Sequence, residues 1–316
     1  MSDPSARIPR QEHPPPNGAP AHTSASLAFA ALESLRPYQW LKNSLVFVPL
    51  AAAHRMTEPG LLSATARTFL AFSLCASSIY LLNDLWDETA DRLHPHKRLR
   101  PIASGRLPHS WAMGLAAALL VLGLTIALPI GRAVMGVLGG YVALMIAYSL
   151  RLQAIMLLGA LTLAGGYALR VVAGGLAVKI WPSPWLLAFC IFLFFSLALL
   201  KRYAELALLR ARDGAATHAR AYLLEDQEFL VALGTGCGIA SVLVLAMYTS
   251  SGNLERLYRS SQFLWVTCVL LLYWISYMWL AGHRGRMTDD PLVFALKDRV
   301  SQALILLMGI SAWLAV

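Results

Sequence analysis

Long apolar stretches broken by short polar connections run along the chain, and the polar breaks are too brief to hold soluble domains. Each stretch approaches the roughly 20 residues an α-helix needs to cross a hydrocarbon core. They fall near residues 38–56, 61–86, 110–130, 132–150, 154–178, 183–203, 229–250, 262–282 and 299–316, which predicts nine spans. Backbone polar groups in lipid must be satisfied within their own segment, so the expected fold is an all-α integral membrane bundle. The two-residue alternation of a membrane β-barrel is absent from the pattern. Residues 1–26, rich in Pro, Ser and Ala and without an apolar signal-peptide core, read as a disordered tail. Residues 27–316 form the transmembrane domain.

Composition agrees. Only 14% of the residues are charged and 58% are hydrophobic, whereas about a quarter are charged in a soluble domain. Charge then sets the orientation. With alternating spans, the N-terminus and the even-numbered connections share one side, and that side holds 19 of the 26 Lys and Arg residues. The positive-inside rule makes it cytoplasmic. The net charge of +9 is therefore better explained by topology than by nucleic-acid binding, and no alternation of aromatic and basic residues suggests a base-stacking surface. Cys75, Cys190, Cys237 and Cys268 all lie in predicted helices without paired spacing, which points to buried small apolar residues rather than disulfides or zinc.

The polar residues that remain are few and clustered. Asn83, Asp84, Asp87 and Asp91 end the second span, and on a helix the three Asp recur at steps of three and four, on one face. Helix ends at a membrane surface are commonly charged, but three aligned carboxylates exceed what solubility requires. Hard oxygen donors suit Mg²⁺, which takes one or two carboxylates and completes its shell with substrate phosphates. Lys97, Arg98 and Arg100 follow after Pro95, which ends the helix, and they can fold back toward phosphate oxygens. His94 and His96 suit a surface loop better than a metal in so oxygen-rich a setting. Arg170 lies deep in the fifth span, where a charge marks a cavity, a pathway or an ion pair. Lys201, Arg202 and Glu205 close the sixth span, as a membrane anchor or as a phosphate ligand. A mixed-charge loop from Arg284 to Pro291, leading to Lys297, Asp298 and Arg299, is a defined turn serving as a lid or a plain connection.

The stretch Asn83–Arg92 followed by His94–Pro101 resembles the first aspartate motif of the UbiA superfamily of intramembrane prenyltransferases. Arg36–Asn43, Tyr167–Val171, Lys201–Leu206 and Asp290–Arg299 are similar to the branch typified by decaprenyl-phosphate phosphoribosyltransferase, and the similarity runs from about residue 36 to 300. The resemblance implies nine transmembrane helices around a central cavity open to the cytoplasmic side, in a bacterial inner (plasma) membrane with a cytoplasmic N-terminus. It implies Mg²⁺ on Asp84, Asp87 and Asp91 as the catalytic acids. It also implies substrate contacts from Asn83, Lys42, Lys97, Arg98, Arg100, Tyr148, Arg170, Lys201, Arg202 and Glu205. Other superfamily members resemble one another in a second Asp-rich motif after the sixth helix, where this chain has Lys201–Glu205.

Cations in place of acids favour an anionic lipid phosphate over a second metal. The implied reaction is transfer of a phosphoribosyl group from phosphoribosyl diphosphate to a polyprenyl phosphate. Two departures stand out: the branch has Lys where this chain has Gln153, and Asp where it has Gly159. They keep two other expectations open, a prenyl diphosphate-dependent transferase acting on an aromatic or other acceptor, and a non-catalytic binder of polyprenyl lipid. The branch also includes proteins fused to a phosphatase-like domain; here a separate phosphatase would act on the product.

Overall fold

The computed structural model describes residues 24–94, 97–210, 218–219, 221–250, 258, 260, 262–287 and 290–316. The anticipated tail over 1–26 lies almost wholly outside them, as do Pro95 and His96 of the basic loop. In chain order the helices are α1 (Ser24–Leu35), a 3₁₀ segment (Pro37–Phe47) running into α2 (Val48–Ala52), α3 (Pro59–Trp86), α4 (Glu88–Leu93), α5 (His109–Ala127), α6 (Arg132–Leu150), α7 (Leu158–Ala177), α8 (Pro184–Arg210), α9 (Gln227–Thr249), α10 (Gln262–His283), α11 (Pro291–Lys297) and α12 (Arg299–Leu314). His218–Ala219 and Tyr222–Leu223 pair as a short antiparallel ribbon between α8 and α9.

Among the described residues seven helices (α3, α5, α6, α7, α8, α9 and α10) are long and apolar enough to cross a membrane. The first expected span differs. Pro37 and Pro49 each lack an amide donor, and the chain takes a tighter 3₁₀ path between them before the short α2. The last, α12, is apolar but only 16 residues long.

The most enclosed spans are α3 and α7. Helices in lipid gain little from apolar burial against each other, so small and polar residues draw them together. In α3 that role falls to a row of hydroxyls. Ser78 Oγ donates to the Ala116 carbonyl of α5 at 2.7 Å, and Ser77 Oγ to the Leu35 carbonyl at 2.7 Å. Ser73 Oγ accepts from Asn43 Nδ2 at 2.9 Å. Gly174 of α7 leaves no room for a Cβ, because the backbone of Val46 in the 3₁₀ segment occupies that space. The 3₁₀ segment is thereby wedged between α3 and α7. Beyond it, α8 packs along α9, whose Gly234 accommodates the Trp279 ring of α10, and Phe194, Leu197, Leu200, Trp274 and Met278 fill the space among these helices. All four cysteines are buried and free.

Candidate functional site

The 3₁₀ segment and the residue before it supply two of the site's cations, Lys42 and Arg36. Its first flanking residue, Arg36, has φ 51° and ψ 58°, a left-handed backbone that a residue with a Cβ rarely takes. The guanidinium then reaches α3, where Nη2 donates to both oxygens of Asp84 at 2.6 and 2.8 Å. Arg100 completes the arrangement: its Nη1 lies 3.0 Å from Asp84 Oδ1 and 2.5 Å from Asp91 Oδ2. Lys97 Nζ stands 3.9 Å from Asp91 Oδ1. Asp84 and Asp91 are 3% and 2% exposed, so a buried pair of carboxylates faces a pair of guanidinium groups. The Tyr80 ring lies under Arg36, 5.3 Å from its guanidinium carbon.

Asp87 does not join them. It is exposed, at the break between α3 and α4. At about 100° per residue, Asp91 lies roughly 20° around the helix from Asp84 while Asp87 lies roughly 60° away, and the break leaves it outside. Arg98 and His94 are exposed as well. Among the described residues no three Asp, Glu, His or Cys side chains converge as a ready metal cluster. The donor chemistry nevertheless fits a magnesium ion: two buried carboxylates suffice, and the neighbouring Asn83 Oδ1 is buried without a hydrogen-bond partner.

A second charged centre lies two 3₁₀ turns further along the same segment, about 12 Å away at ~2 Å rise per residue. Lys42 Nζ and Lys201 Nζ sit 3.0 and 3.3 Å from one oxygen of Asp290. The other Asp290 oxygen accepts the Leu292 amide at 3.1 Å, capping α11. Burial pushes the Asp290 carboxyl up, but Lys42, Lys201 and the Leu292 amide outweigh it and hold the group below the usual carboxylate range. Beside Lys42 opens a cavity of about 230 Å³ with apolar walls that include Leu45, Phe194, Trp274, Leu292 and Ile305.

Two further expected residues prove to be braces. Arg170, 5% exposed, donates to Asn43 Oδ1 and the Gly166 carbonyl at 2.7 Å each and to Tyr141 Oη at 2.9 Å. Its guanidinium also lies over the Tyr141 and Tyr167 rings, at 4.7 and 5.4 Å. It fixes the 3₁₀ segment to α6 and α7 rather than facing an open space. Arg202 pairs with Glu205 at 2.6 Å and reaches Tyr148 Oη at 3.1 Å, which joins α8 to α6. The turn expected near Gly285 is present, with φ 67°, and Pro291 opens α11. Asp298 accepts from Tyr277 Oη at 2.9 Å and from the Ser301 amide at 2.8 Å, which caps α12. The two departures, Gln153 and Gly159, are neighbours: a Cβ on Gly159 would sit 3.2 Å from Gln153 Cα.

Sequence reasoning passed over Arg36, Tyr80 and Asp290 as site residues. Arg36 and Asp290 each stand immediately before a proline at the edge of an apolar run, and each opens a segment that resembles the family branch, two signals that could have marked them.

This geometry has relatives. Residues 44–297 match the UbiA prenyltransferase family. Decaprenyl-phosphate phosphoribosyltransferase of Mycolicibacterium smegmatis is 32% identical over 303 residues, covering 94% of each chain. Nodulation protein NoeC of Azorhizobium caulinodans is 34% identical over 284 residues, 88% of this chain and 90% of that protein. Protein y4nM of Sinorhizobium fredii is 35% identical over 85% of this chain, which spans only about half (52%) of that relative. Among solved structures, a UbiA homolog from Archaeoglobus fulgidus bound to GPP and Mg²⁺ superposes with a TM-score of 0.66 at 17% identity, over 91% of this chain and 100% of that one. With two buried aspartates in the first motif region and a family match across most of its length, the chain is a member of the UbiA prenyltransferase family, a multi-pass membrane transferase family.

Proposed function

We propose that the protein transfers a phosphoribosyl group from phosphoribosyl diphosphate to a polyprenyl phosphate, at the cytoplasmic face of a bacterial inner membrane crossed nine times. One observation carries this reading: the 3₁₀ segment links a buried acidic centre to a lysine centre that borders an apolar cavity. The first centre suits a metal-bound diphosphate and the second the phosphate head of a lipid whose tail lies in the cavity. Identity of about a third to phosphoribosyltransferases along nearly the whole chain supports it.

Asp84 and Asp91, with Asn83 and with Asp87 at the rim, would hold Mg²⁺; the ion would supply Lewis-acid neutralisation of the leaving diphosphate. Arg100 and Lys97, which already border those carboxylates, orient the diphosphate oxygens. Lys42 and Lys201 hold the lipid phosphate. A phosphate with a second pKa near 6 is largely dianionic at neutral pH, so its oxygen attacks the anomeric carbon without a general base. The anomeric C–O bond to diphosphate breaks as the bond to the lipid phosphate forms. Arg170 acts through Asn43 by holding the segment that carries Lys42, and Arg202, Glu205 and Tyr148 steady the neighbouring wall.

The test is to incubate the purified full-length chain with polyprenyl phosphate and labelled phosphoribosyl diphosphate, and separately with labelled prenyl diphosphate and an aromatic acceptor. Label should enter lipid from phosphoribosyl diphosphate only, and a folded Asp84→Asn variant should be inactive. Turnover with prenyl diphosphate alone would replace this reading with that of an aromatic prenyltransferase. Lipid binding without turnover of either donor would reduce it to a lipid-binding protein.

A further inference from the structure

Asp84 already has a counter-ion. Arg36 grips both of its oxygens, and Arg100 shares one of them with Asp91. A divalent cation arriving alone must displace guanidinium groups that then have no anion to pair with, since the Arg36 side chain is only 20% exposed and the Asp84 side chain 4%. A cation arriving with a diphosphate faces no such obstacle, because the phosphate oxygens can take the guanidinium while the carboxylates turn to the metal. The Arg36 backbone adds an independent sign of function. It is left-handed, at φ 51°, in a residue with a full side chain that precedes Pro37. Strain of that kind persists only where the surroundings enforce it, and it concentrates at ligand clamps and switch regions.

We propose that Arg36 is a resident counter-cation and diphosphate ligand: it keeps Asp84 closed to a bare divalent cation and, when a diphosphate arrives, exchanges the carboxylate for phosphate oxygens, so that metal and donor load together. This rests on the reading of Asp84 as a metal ligand. It adds a binding order and a residue, Arg36, to that reading.

The test uses two equilibrium measurements on the purified full-length protein, neither of which needs turnover. Mn²⁺ alone is titrated and followed by the electron paramagnetic resonance of the free ion; labelled inorganic pyrophosphate is titrated by equilibrium dialysis at fixed Mg²⁺. Replacing Arg36 by Ala should move the two in opposite directions, Mn²⁺ binding about tenfold tighter and pyrophosphate about tenfold weaker. Arg36→Lys, which keeps a cation but loses the two-oxygen grip, should show the same opposed shifts at about threefold and serves if the Ala variant fails to fold. Mn²⁺ affinity that is unchanged or weakened in these variants overturns the proposal, since a merely structural arginine would drag both affinities down. Asp84→Asn placed on the Arg36→Ala or Arg36→Lys background, where the carboxylate is open to the bare ion, separates the two ideas. If the double variant binds Mn²⁺ as the Arg36 variant does, the metal assignment itself falls; if it loses Mn²⁺ while the Arg36 variants show no opposed shift, only the counter-cation proposal falls.

Discussion

Gly174 offers a perturbation whose outcome can be worked from the coordinates. A Cβ placed there would lie 2.8 Å from the Val46 carbonyl carbon and 3.0 Å from Val46 Cα, where ordinary contacts are 3.4–4 Å. Both are backbone atoms, so no side chain can swing aside. The Val46 carbonyl oxygen is nearer still and would overlap the new Cβ, so the 3₁₀ segment would have to retreat by an ångström or more, an overpacking that costs about 1–3 kcal/mol. Replacing Gly by Ala inside a helix also returns about 0.5–1 kcal/mol of conformational entropy. Gly165, on the same helix, supplies the reference, because a Cβ there meets nothing within 4 Å. The entropy gain is common to both variants, so Gly174→Ala should be less stable than Gly165→Ala by the overpacking cost alone, about 1–3 kcal/mol. The retreat also disturbs Lys42 and Asn43, on the displaced segment, which hold Asp290 and Arg170 at 3.0 and 2.7 Å. Since misplacement by 1 Å can cost about a hundredfold in rate, transfer is expected to fall by about ten- to a hundredfold in Gly174→Ala and not to fall in Gly165→Ala. Thermal unfolding in detergent and initial transfer rates measure the two effects. Equal stability and rate in the two variants would refute the claim that the 3₁₀ segment is seated on Gly174.

Asp290→Asn should remove a stabilising contact that exists only while the carboxylate is charged. Because the folded-state value is depressed, the stability gap between parent and variant should be full at neutral pH and close as pH falls below the ordinary carboxylate value of 3.8, which thermal unfolding against pH will show. Gly159→Asp alone should destabilise, since its Cβ meets the Leu152 carbonyl oxygen at 3.1 Å and Gln153 Cα at 3.2 Å. Adding Gln153→Lys should recover part of that loss, with a coupling of about 0.5–2 kcal/mol in a double-mutant cycle. Tyr222→Phe should loosen the tie between the α8–α9 connection and α7, where Tyr222 Oη accepts the Leu157 amide at 2.9 Å, at a cost of about 1 kcal/mol in the same unfolding assay.

Seven of the nine expected spans were legible in the sequence because their signal is one of length and apolarity. Residues 132–150 coincide with α6, and 61–86 and 262–282 differ from α3 and α10 by two residues or fewer. The 3₁₀ segment was not legible. Its apolar content satisfies a span of either helical type, and the close seat of Val46 on Gly174 is a tertiary contact that the local sequence does not announce. That choice has consequences for chemistry. With three residues per turn, residues 39 and 42 align one and two turns beyond Arg36, whereas the α-helical period would set Arg36 and Lys42 about 120° apart. The acidic motif was half legible. Spacing identified Asp84 and Asp91 as a pair, but it credited Asp87 with a place on the same face that the break after Trp86 removes. Arg36 and Asp290 escaped because their importance lies in partners 48 and 248 residues away along the chain.

The 3₁₀ segment and its flanking arginine touch three polar centres in turn: Arg36 on Asp84, Lys42 on Asp290 and Asn43 on Arg170. Tyr38, Leu41, Ser44 and Leu45, interspersed among them, line the apolar hollow. A hydrocarbon chain lodged in that hollow therefore leans on the same short rod from which the charged groups hang. Greasy occupancy and ionic alignment share one mechanical part, and neither can shift without the other registering it.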